Sequence, residues 1–279
     1  MTVKQALSHA REMLANQNIE DPALETELLL RHVLRKSRAE LLSEPDHELS
    51  PAEVETFLIL VNRRLNGEPT AYITGHREFY GHDFHVNPTV LIPRPESELL
   101  VERALQLAHS HNISTIADIG TGCGAIAISL ALDLHDVEIY ATDISRSALE
   151  VARFNYQQYD LTGRICLLEG NMLDPLPRPV DLITANLPYV TDAELTRVNT
   201  FGFEPSLALN GGPDGLDKIS LLCRQTHEKL CQSGYLLLEI GQGQRKTVCT
   251  LLRDLFPLAD IEVIPDLSGI DRVVSLSLP

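Results

Sequence analysis

The sequence predicts an α/β fold, a mainly parallel sheet with helices on both faces, preceded by a small all-α helical bundle. Two observations carry this prediction. Apolar residues recur only at helical spacing through residue 67. From residue 96 onward, strand-like runs alternate with amphipathic helical stretches, an order typical of parallel strands joined by crossover helices.

The N-terminal segment carries clear helix-start signals. Asp21 directly precedes Pro22, so one helix has both a cap and a first-turn proline. Ser50 and Glu53 match a capping box, again with proline at the first helical position. We therefore predict a helical bundle domain over residues 1–75.

A connector is predicted over residues 76–95. Its first part, EFYGHDFHV, alternates around Gly81 like a short hairpin. Its last part, LIPRP, is too rich in proline for a helix interior. We predict a hairpin and linker here, between the bundle and a second domain over residues 96–279.

The second domain contains seven strand-like runs, and helical stretches lie before or between most of them. The predicted strands cover residues 115–119, 137–142, 165–168, 180–185, 235–240, 261–264 and 272–278.

Composition restricts the classes of partner. The 279 residues include 23 Lys+Arg and 39 Asp+Glu, a formal net charge of −16. Neither the segment through residue 86 nor the remainder is net basic. Because proteins that bind nucleic-acid phosphates usually present a basic face, direct nucleic-acid binding is not expected.

The cysteine pattern and the apolar runs predict a cytoplasmic protein with no membrane association. The five cysteines include no C-x-x-C pair, and their odd number argues against a disulfide framework. No apolar run approaches the roughly 18 residues that span a bilayer. We expect the protein to act as a monomer.

The first chemical motif follows the predicted strand 115–119. Gly120, Gly122 and Gly124 form a turn that opens a helix, where backbone can approach a ligand closely. Their spacing is G-x-G-x-G, which differs from the G-x-G-x-x-G of dinucleotide sites. Asp143 ends the next strand, 19 residues beyond Gly124, where a carboxylate can accept both ribose hydroxyls. Together these features resemble the S-adenosylmethionine site of class I methyltransferases.

The second motif is Asn186-Leu187-Pro188-Tyr189, directly after the predicted strand 180–185. It resembles the N-P-P-Y tetrapeptide of methyltransferases that modify planar nitrogens. An amide nitrogen is a poor nucleophile, and an Asn oxygen with a nearby backbone carbonyl can accept its two N–H bonds. The tyrosine ring can pack on the amide plane. An ordinary loop turn is the alternative interpretation.

Two positions depart from the family pattern. Leu187 stands where the first proline of the tetrapeptide is usual, and we expect a less rigid loop. Asn171 and Met172 stand where relatives commonly place an acid and an aromatic residue against adenine. Asn171 can still accept from the adenine amine, and Met172 can pack on the ring.

A third set of motifs extends the resemblance to nearly the whole chain. It begins with Gly67-x-Pro69-x-x-Tyr72-Ile73-x-Gly75, Phe79-x-Gly81-x-x-Phe84-x-Val86 and the connector Val90-Leu91-Ile92-Pro93-Arg94-Pro95-Glu96-Ser97-Glu98. It continues with Glu204-Pro205, Gly211-Gly212-Pro213-Asp214-Gly215-Leu216, Glu239-Ile240-Gly241 and the terminal Asp266…Gly269-x-Asp271-Arg272-Val273. In this combination the chain resembles the release factor glutamine methyltransferase (HemK-type) family. Nucleic-acid amino-methyltransferases share the tetrapeptide but not the connector.

The resemblance implies a seven-stranded, Rossmann-like class I methyltransferase domain. The enzyme would transfer a methyl group from S-adenosylmethionine to the side-chain nitrogen of the glutamine in the Gly-Gly-Gln loop of peptide chain release factors. The helical bundle would recognise the release factor. The residues implied in cofactor binding are Gly120, Thr121, Gly122, Cys123, Gly124, Asp143, Ile144, Asn171, Met172 and Asn186. The implied catalytic residues are Asn186, Pro188 and Tyr189. The implied substrate-binding residues are Asn186, Leu187, Pro188 and Tyr189.

Several alternatives stay open at this stage. One is a DNA or RNA amino-methyltransferase, and another is a methyltransferase-like binding module without catalysis. His82-x-x-His85 could suggest a metal, but no Cys or carboxylate ligands stand at a fixed spacing, so no metal is expected. Arg94 and Glu96 are expected to brace the connector by hydrogen bonds, and Cys123 to contribute backbone contacts only.

Overall fold

A computed structural model describes residues 1–196 and 202–279 of the protein. The contacts divide the chain into two compact units, Met1–His76 and Arg77–Pro279. The predicted hairpin and linker therefore fall, apart from His76, within the second unit. None of the helices in the described ranges is long and apolar enough to cross a membrane.

The first unit is helical, and its helix starts follow the capping signals of the sequence. The Asp21 side chain accepts from the Leu24 amide. Ser50 and Glu53 form the capping box: the Ser50 amide donates to the Glu53 carboxylate at 2.7 Å, and the Glu53 amide donates to the Ser50 hydroxyl at 3.3 Å. Both predicted helix starts are confirmed. The helices are α1 (Val3–Ala15), α2 (Pro22–Leu34), α3 (Arg38–Ser43), α4 (Pro51–Leu65) and α5 (Thr70–Thr74).

A hairpin at the start of the second unit is bound to the rest of that unit in part through one buried side-chain amide. Asn155 accepts from the His85 amide at 2.8 Å and donates to the carbonyls of His85 and Cys123. Because Asn155 is fully buried, these bonds fix the hairpin beside the glycine turn. The hairpin strands are β1 (His76–Phe79) and β2 (His82–His85).

Within the described ranges, seven further strands form one sheet in the order β5-β4-β3-β6-β7-β9-β8. Only the pairings of β9 are antiparallel. The strands are β3 (Thr115–Ile119), β4 (Glu138–Asp143), β5 (Ile165–Glu169), β6 (Val180–Ala185), β7 (Leu230–Glu239), β8 (Asp260–Pro265) and β9 (Asp271–Ser277). The helices are α6 (Glu98–Ser110), α7 (Ala125–Asp133), α8 (Arg146–Gln158), α9 (Asp192–Leu195), α10 (Asp217–Lys229) and α11 (Arg245–Leu255).

The predicted α/β class and all seven predicted strands are confirmed, and their bounds agree to within one residue except at one strand start. The strand predicted at residues 235–240 begins at Leu230, directly after α10. The residues Ser233 and Gly234 suggest a turn in the sequence, and Ser233 does adopt a positive φ of 57°. The pairing with β6 shifts register there, so the strand continues through an irregularity that local sequence signals do not reveal.

The core of the first unit yields a stability prediction. Phe57 on α4 is 1% exposed, whereas Ile59 on the same helix is 54% exposed. We expect Phe57→Ala to lower the free energy of unfolding by about 3–5 kcal/mol, because it removes buried apolar area and leaves a cavity. Urea unfolding followed by circular dichroism measures this loss. Ile59→Ala is the control, and equal losses in both variants would contradict the assigned core.

Candidate active site

The glycine turn between β3 and α7 is hydrogen-bonded to a buried carboxyl group. Asp118 is 1% exposed and accepts hydrogen bonds from Thr121 at 2.7 Å and from Thr184 on β6 at 3.0 Å. Burial raises the pKa of Asp118 to about 6, and the two hydroxyl donors oppose that rise. The turn is also packed tightly, because a Cβ at Gly124 would lie 3.0 Å from Ile128.

Asp143 at the end of β4 joins this turn directly. Its carboxylate accepts from the Gly122 amide at 2.9 Å and from the Ser145 amide at 2.8 Å, one bond to each oxygen. Burial raises the pKa of Asp143, and these backbone amides oppose the rise. Each carboxylate oxygen keeps a further lone pair, so the side chain can also accept two hydroxyl groups.

The segment after β5 forms a second wall. The Gly170 amide donates to the Asp143 carbonyl at 3.0 Å, and the Thr142 hydroxyl donates to the Met172 carbonyl at 3.0 Å. Met172 adopts a φ of 51°, a region that costs free energy for a side-chain-bearing residue. These bonds hold Asn171 and Met172 beside Asp143.

The tetrapeptide follows β6 and packs against the glycine turn. Leu187 is 3% exposed, and its Cδ2 atom lies 3.2 Å from the position of a Cβ at Gly120. The residue is part of the apolar core around β6 and β7. Leu187 therefore anchors the tetrapeptide in this core, a contact that the expectation of a less rigid loop did not include.

Two side chains of the tetrapeptide connect to a buried acid at the end of β7. Asn186 Nδ2 lies 2.8 Å from Ser97 Oγ, which donates to Glu239 Oε2 at 2.6 Å. The Tyr189 hydroxyl donates to Glu239 Oε1 at 3.3 Å. Burial and the Glu239 carboxyl raise the pKa of Tyr189 to about 12. Burial also raises the pKa of Glu239, and the hydrogen bond from Ser97 and the charge of Arg272 oppose that rise.

A glycine-rich loop covers the other side of the tetrapeptide backbone. A Cβ at Gly211 would lie 2.7 Å from the Pro188 carbonyl oxygen, and one at Gly215 would overlap the Tyr189 carbonyl. The Val190 amide donates to the Leu209 carbonyl at 3.0 Å. Only residues without a side chain allow this close approach of two backbone segments.

The proline-rich connector is fixed by Glu204. This side chain accepts from the Ile92 amide at 3.1 Å and forms an ion pair with Arg94. Glu204 is 9% exposed, so the pair is partly shielded from water. The prediction that Arg94 braces the connector is confirmed by this contact, whereas the Glu96 side chain makes no such hydrogen bond within the described ranges.

These elements enclose a cavity of about 370 Å³. Its volume lies within the roughly 300–1,000 Å³ typical of small-molecule sites. Asp143 and Lys218 are the charged residues among the lining side chains of the described ranges. The lining also includes connector residues 88–91, Thr142, Ser145, Ser147, Ala148, Gly170, Pro205, Leu207 and Ala208.

The structure brings most of the predicted site residues to this cavity, though not all. Those that line it are Gly120, Gly122, Asp143, Ile144, Asn171, Met172, Asn186, Leu187 and Pro188. Thr121, Cys123, Gly124 and Tyr189 are absent from the lining. Thr121 binds Asp118, and Cys123 is buried with its carbonyl bound to Asn155. Burial raises the pKa of the Cys123 thiol to about 12, which does not favour a reactive thiolate.

The sequence analysis missed several residues around the site. Lys218 and the connector residues 88 and 89 have no motif signal of their own. Val90, Leu91 and Ser97 stand in the connector motif, but no role was predicted for them. Glu204 and Glu239 stand in recognisable motifs, but their roles depend on partners far along the chain. One usable signal was overlooked: an acid at the end of an otherwise apolar strand, as Glu239 is, indicates a buried polar network.

The hairpin histidines make aromatic contacts. His82 packs on Tyr159 with ring centroids 5.6 Å apart, and His85 packs on Phe154 at 5.0 Å. In the described part of the chain, no group of three or more His, Cys, Asp or Glu side chains is placed to hold a metal ion.

Comparison with known proteins identifies relatives over the full chain. The model of the PrmC N-terminal domain matches residues 5–75, and that of the methyltransferase small domain matches residues 95–201. The release factor glutamine methyltransferase of Moorella thermoacetica is 43% identical, covering 98% of this chain and 97% of the relative. That of Koribacter versatilis is 40% identical, covering 98% of each.

Among solved structures, a methyltransferase from Pyrococcus furiosus superimposes with a TM-score of 0.52 at 15% identity, covering 78% of this chain and 95% of that one. At this identity the similarity concerns the fold alone. The two sequence relatives match nearly the whole chain at 40% identity or more, and by this identity and coverage the chain belongs to the release factor glutamine methyltransferase family.

Proposed function

We propose that this protein transfers a methyl group from S-adenosylmethionine to the side-chain amide nitrogen of the glutamine in the Gly-Gly-Gln motif of peptide chain release factors. The observation that carries the proposal is that Asp143 and Asn186 line the same cavity. One supplies acceptors for a ribose and the other an acceptor for an amide. Family membership supplies the identity of the substrate.

The cavity fits the cofactor in the chemistry of its donors and acceptors. Asp143 would hold the ribose hydroxyls, Asn171 and Met172 would face the adenine, and the turn at Gly120 and Gly122 would lie against the amino-acid portion. When bound, S-adenosylmethionine supplies an electrophilic methyl group attached to a sulfonium.

The tetrapeptide orients the substrate amide. Asn186 Oδ1 and the Leu187 carbonyl accept the two N–H bonds of the glutamine side chain; among the described residues, none donates to that carbonyl. Both acceptors stabilise the positive charge that develops on nitrogen as its lone pair forms the new bond. The methylated amide then loses a proton to water, so no strong base is required.

The helical unit is proposed to recognise the release factor. It carries an apolar surface groove lined by Leu49, Val54, Leu58 and Ile59, and Ile59 is largely exposed. Exposed apolar surface of this kind is typical of protein contacts. We further propose that the enzyme acts in the cytoplasm, as a monomer and without binding nucleic acid.

The substrate assignment is tested with labelled cofactor and two possible acceptors. We expect label to enter a purified release factor and to be lost when the glutamine of its Gly-Gly-Gln motif is replaced by alanine. Nucleic acid is the second acceptor in a parallel reaction. Label in nucleic acid with none in the release factor would contradict the proposal and favour an amino-methyltransferase.

The role of Asn186 is tested by Asn186→Ala. We expect kcat to fall by about 10²–10³-fold, because one acceptor for the developing charge is lost. The dissociation constant of the cofactor, measured by calorimetry, should change little. Transfer at a rate close to that of the wild type would remove Asn186 from the amide site.

Asp143→Ala should act mainly on cofactor affinity. Removal of the carboxylate takes away two charge-assisted acceptors, so we expect the dissociation constant of S-adenosylmethionine to rise about 10- to 100-fold. Glu169→Ala is the control, because Glu169 is an exposed carboxylate paired in register with Asp143 on the next strand. Equal affinity in the two variants would exclude Asp143 from the ribose site.

A further inference from the structure

A short chain of hydrogen bonds holds the Asn186 side chain through two buried residues that do not line the cavity. Ser97, 3% exposed, lies between the Asn186 amide at 2.8 Å and the Glu239 carboxyl at 2.6 Å. Glu239 is 1% exposed. The three residues come from the turn before α6, the end of β6 and the end of β7, so they meet only in the folded unit.

The polarity of this chain determines how the Asn186 amide is turned. A hydroxyl has one proton to donate, and the ionised form of Glu239, which the charge of Arg272 and the hydroxyl donors Ser97 and Tyr189 favour against burial, can only accept. Ser97 therefore gives its proton to Glu239 and offers a lone pair to Asn186. That lone pair binds the Nδ2 group, which leaves Oδ1 free for the cavity.

The orientation matters because the two ends of the Asn186 side chain are nearly identical in shape and opposite in function. Oδ1 accepts from an incoming N–H group, whereas Nδ2 would oppose it with a second donor. A freely rotating amide would present the wrong end for part of the time, and an unsatisfied polar contact in a shielded site costs free energy.

We propose that Ser97 and Glu239 are positioning residues that hold Asn186 with Oδ1 toward the substrate amide. The other carboxyl oxygen of Glu239 accepts from Tyr189, so the same acid fixes both ends of the tetrapeptide. This inference rests on the proposed function. It adds the residues that make the Asn186 side chain accept an N–H group of the substrate amide.

The first test is a double-mutant cycle on the wild-type enzyme, with release factor as substrate. Ser97→Ala should lower kcat about 10- to 100-fold and leave cofactor affinity unchanged, whereas Ser97→Thr, which keeps the hydroxyl, retains most of the activity. In the Asn186→Ala background, Ser97→Ala should change kcat less than about twofold, because its effect passes through Asn186. Independent, multiplying effects would overturn the proposal.

Ser129→Ala is the matched control. Its hydroxyl is equally buried but donates only to the Ala125 carbonyl one turn back in α7, so kcat should be unchanged. Glu239→Gln is a second variant, which keeps an acceptor for Ser97 but replaces the carboxylate. Its loss of kcat should be smaller in the Asn186→Ala background but should not vanish, because Glu239 also binds Tyr189. A loss of equal size in both backgrounds would overturn the route through Asn186.

The second test does not require activity. The side-chain amide signals of Asn186 are identified in a ¹H–¹⁵N spectrum by their absence from Asn186→Ala. Ser97→Ala should shift them, and Ser129→Ala should not. Unchanged signals in Ser97→Ala would overturn the positioning role even if wild-type transfer is observed. A shift without any wild-type transfer would contradict the proposed function and leave the hydrogen-bond chain established.

Discussion

The parallel pairing of β3 with β4 on one side and β6 on the other is the constraint on which the site depends. It brings the ends of three strands to one edge of the sheet. The glycine turn follows β3, Asp143 is the last residue of β4 and Asn186 follows β6, and all three contribute to one cavity. Ligand sites at the carboxyl ends of strands are general in open parallel sheets, because the connections there are free to vary.

Buried polar side chains join the loops at this edge into one arrangement. Asp118 ties the glycine turn to β6, and Asn155 ties it to the hairpin. Glu204 fixes the connector, and Glu239 reaches the tetrapeptide. Each of these groups is costly to bury unless its hydrogen bonds are made, so the network favours a single geometry of the site.

The sequence could predict what is encoded locally. Strand runs, helix caps, the glycine turn and Asp143 depend on neighbours in the chain, and a fixed spacing reveals them. Contacts between distant residues left no such signal: Ser97 and Glu239 are 142 residues apart, and Arg94 and Glu204 are 110 apart. The burial of Leu187 could not be predicted from the sequence either, because it depends on how the tetrapeptide packs against the glycine turn.

The central claim is that Asn186 presents an oxygen acceptor to the amide nitrogen of a glutamine. It is tested most directly by a crystal structure with the demethylated cofactor and a Gly-Gly-Gln peptide. The account predicts the glutamine nitrogen within about 2.7–3.2 Å of Asn186 Oδ1, with Nδ2 still bound to Ser97. A glutamine carbonyl facing Asn186, or a peptide bound away from the tetrapeptide, would contradict it.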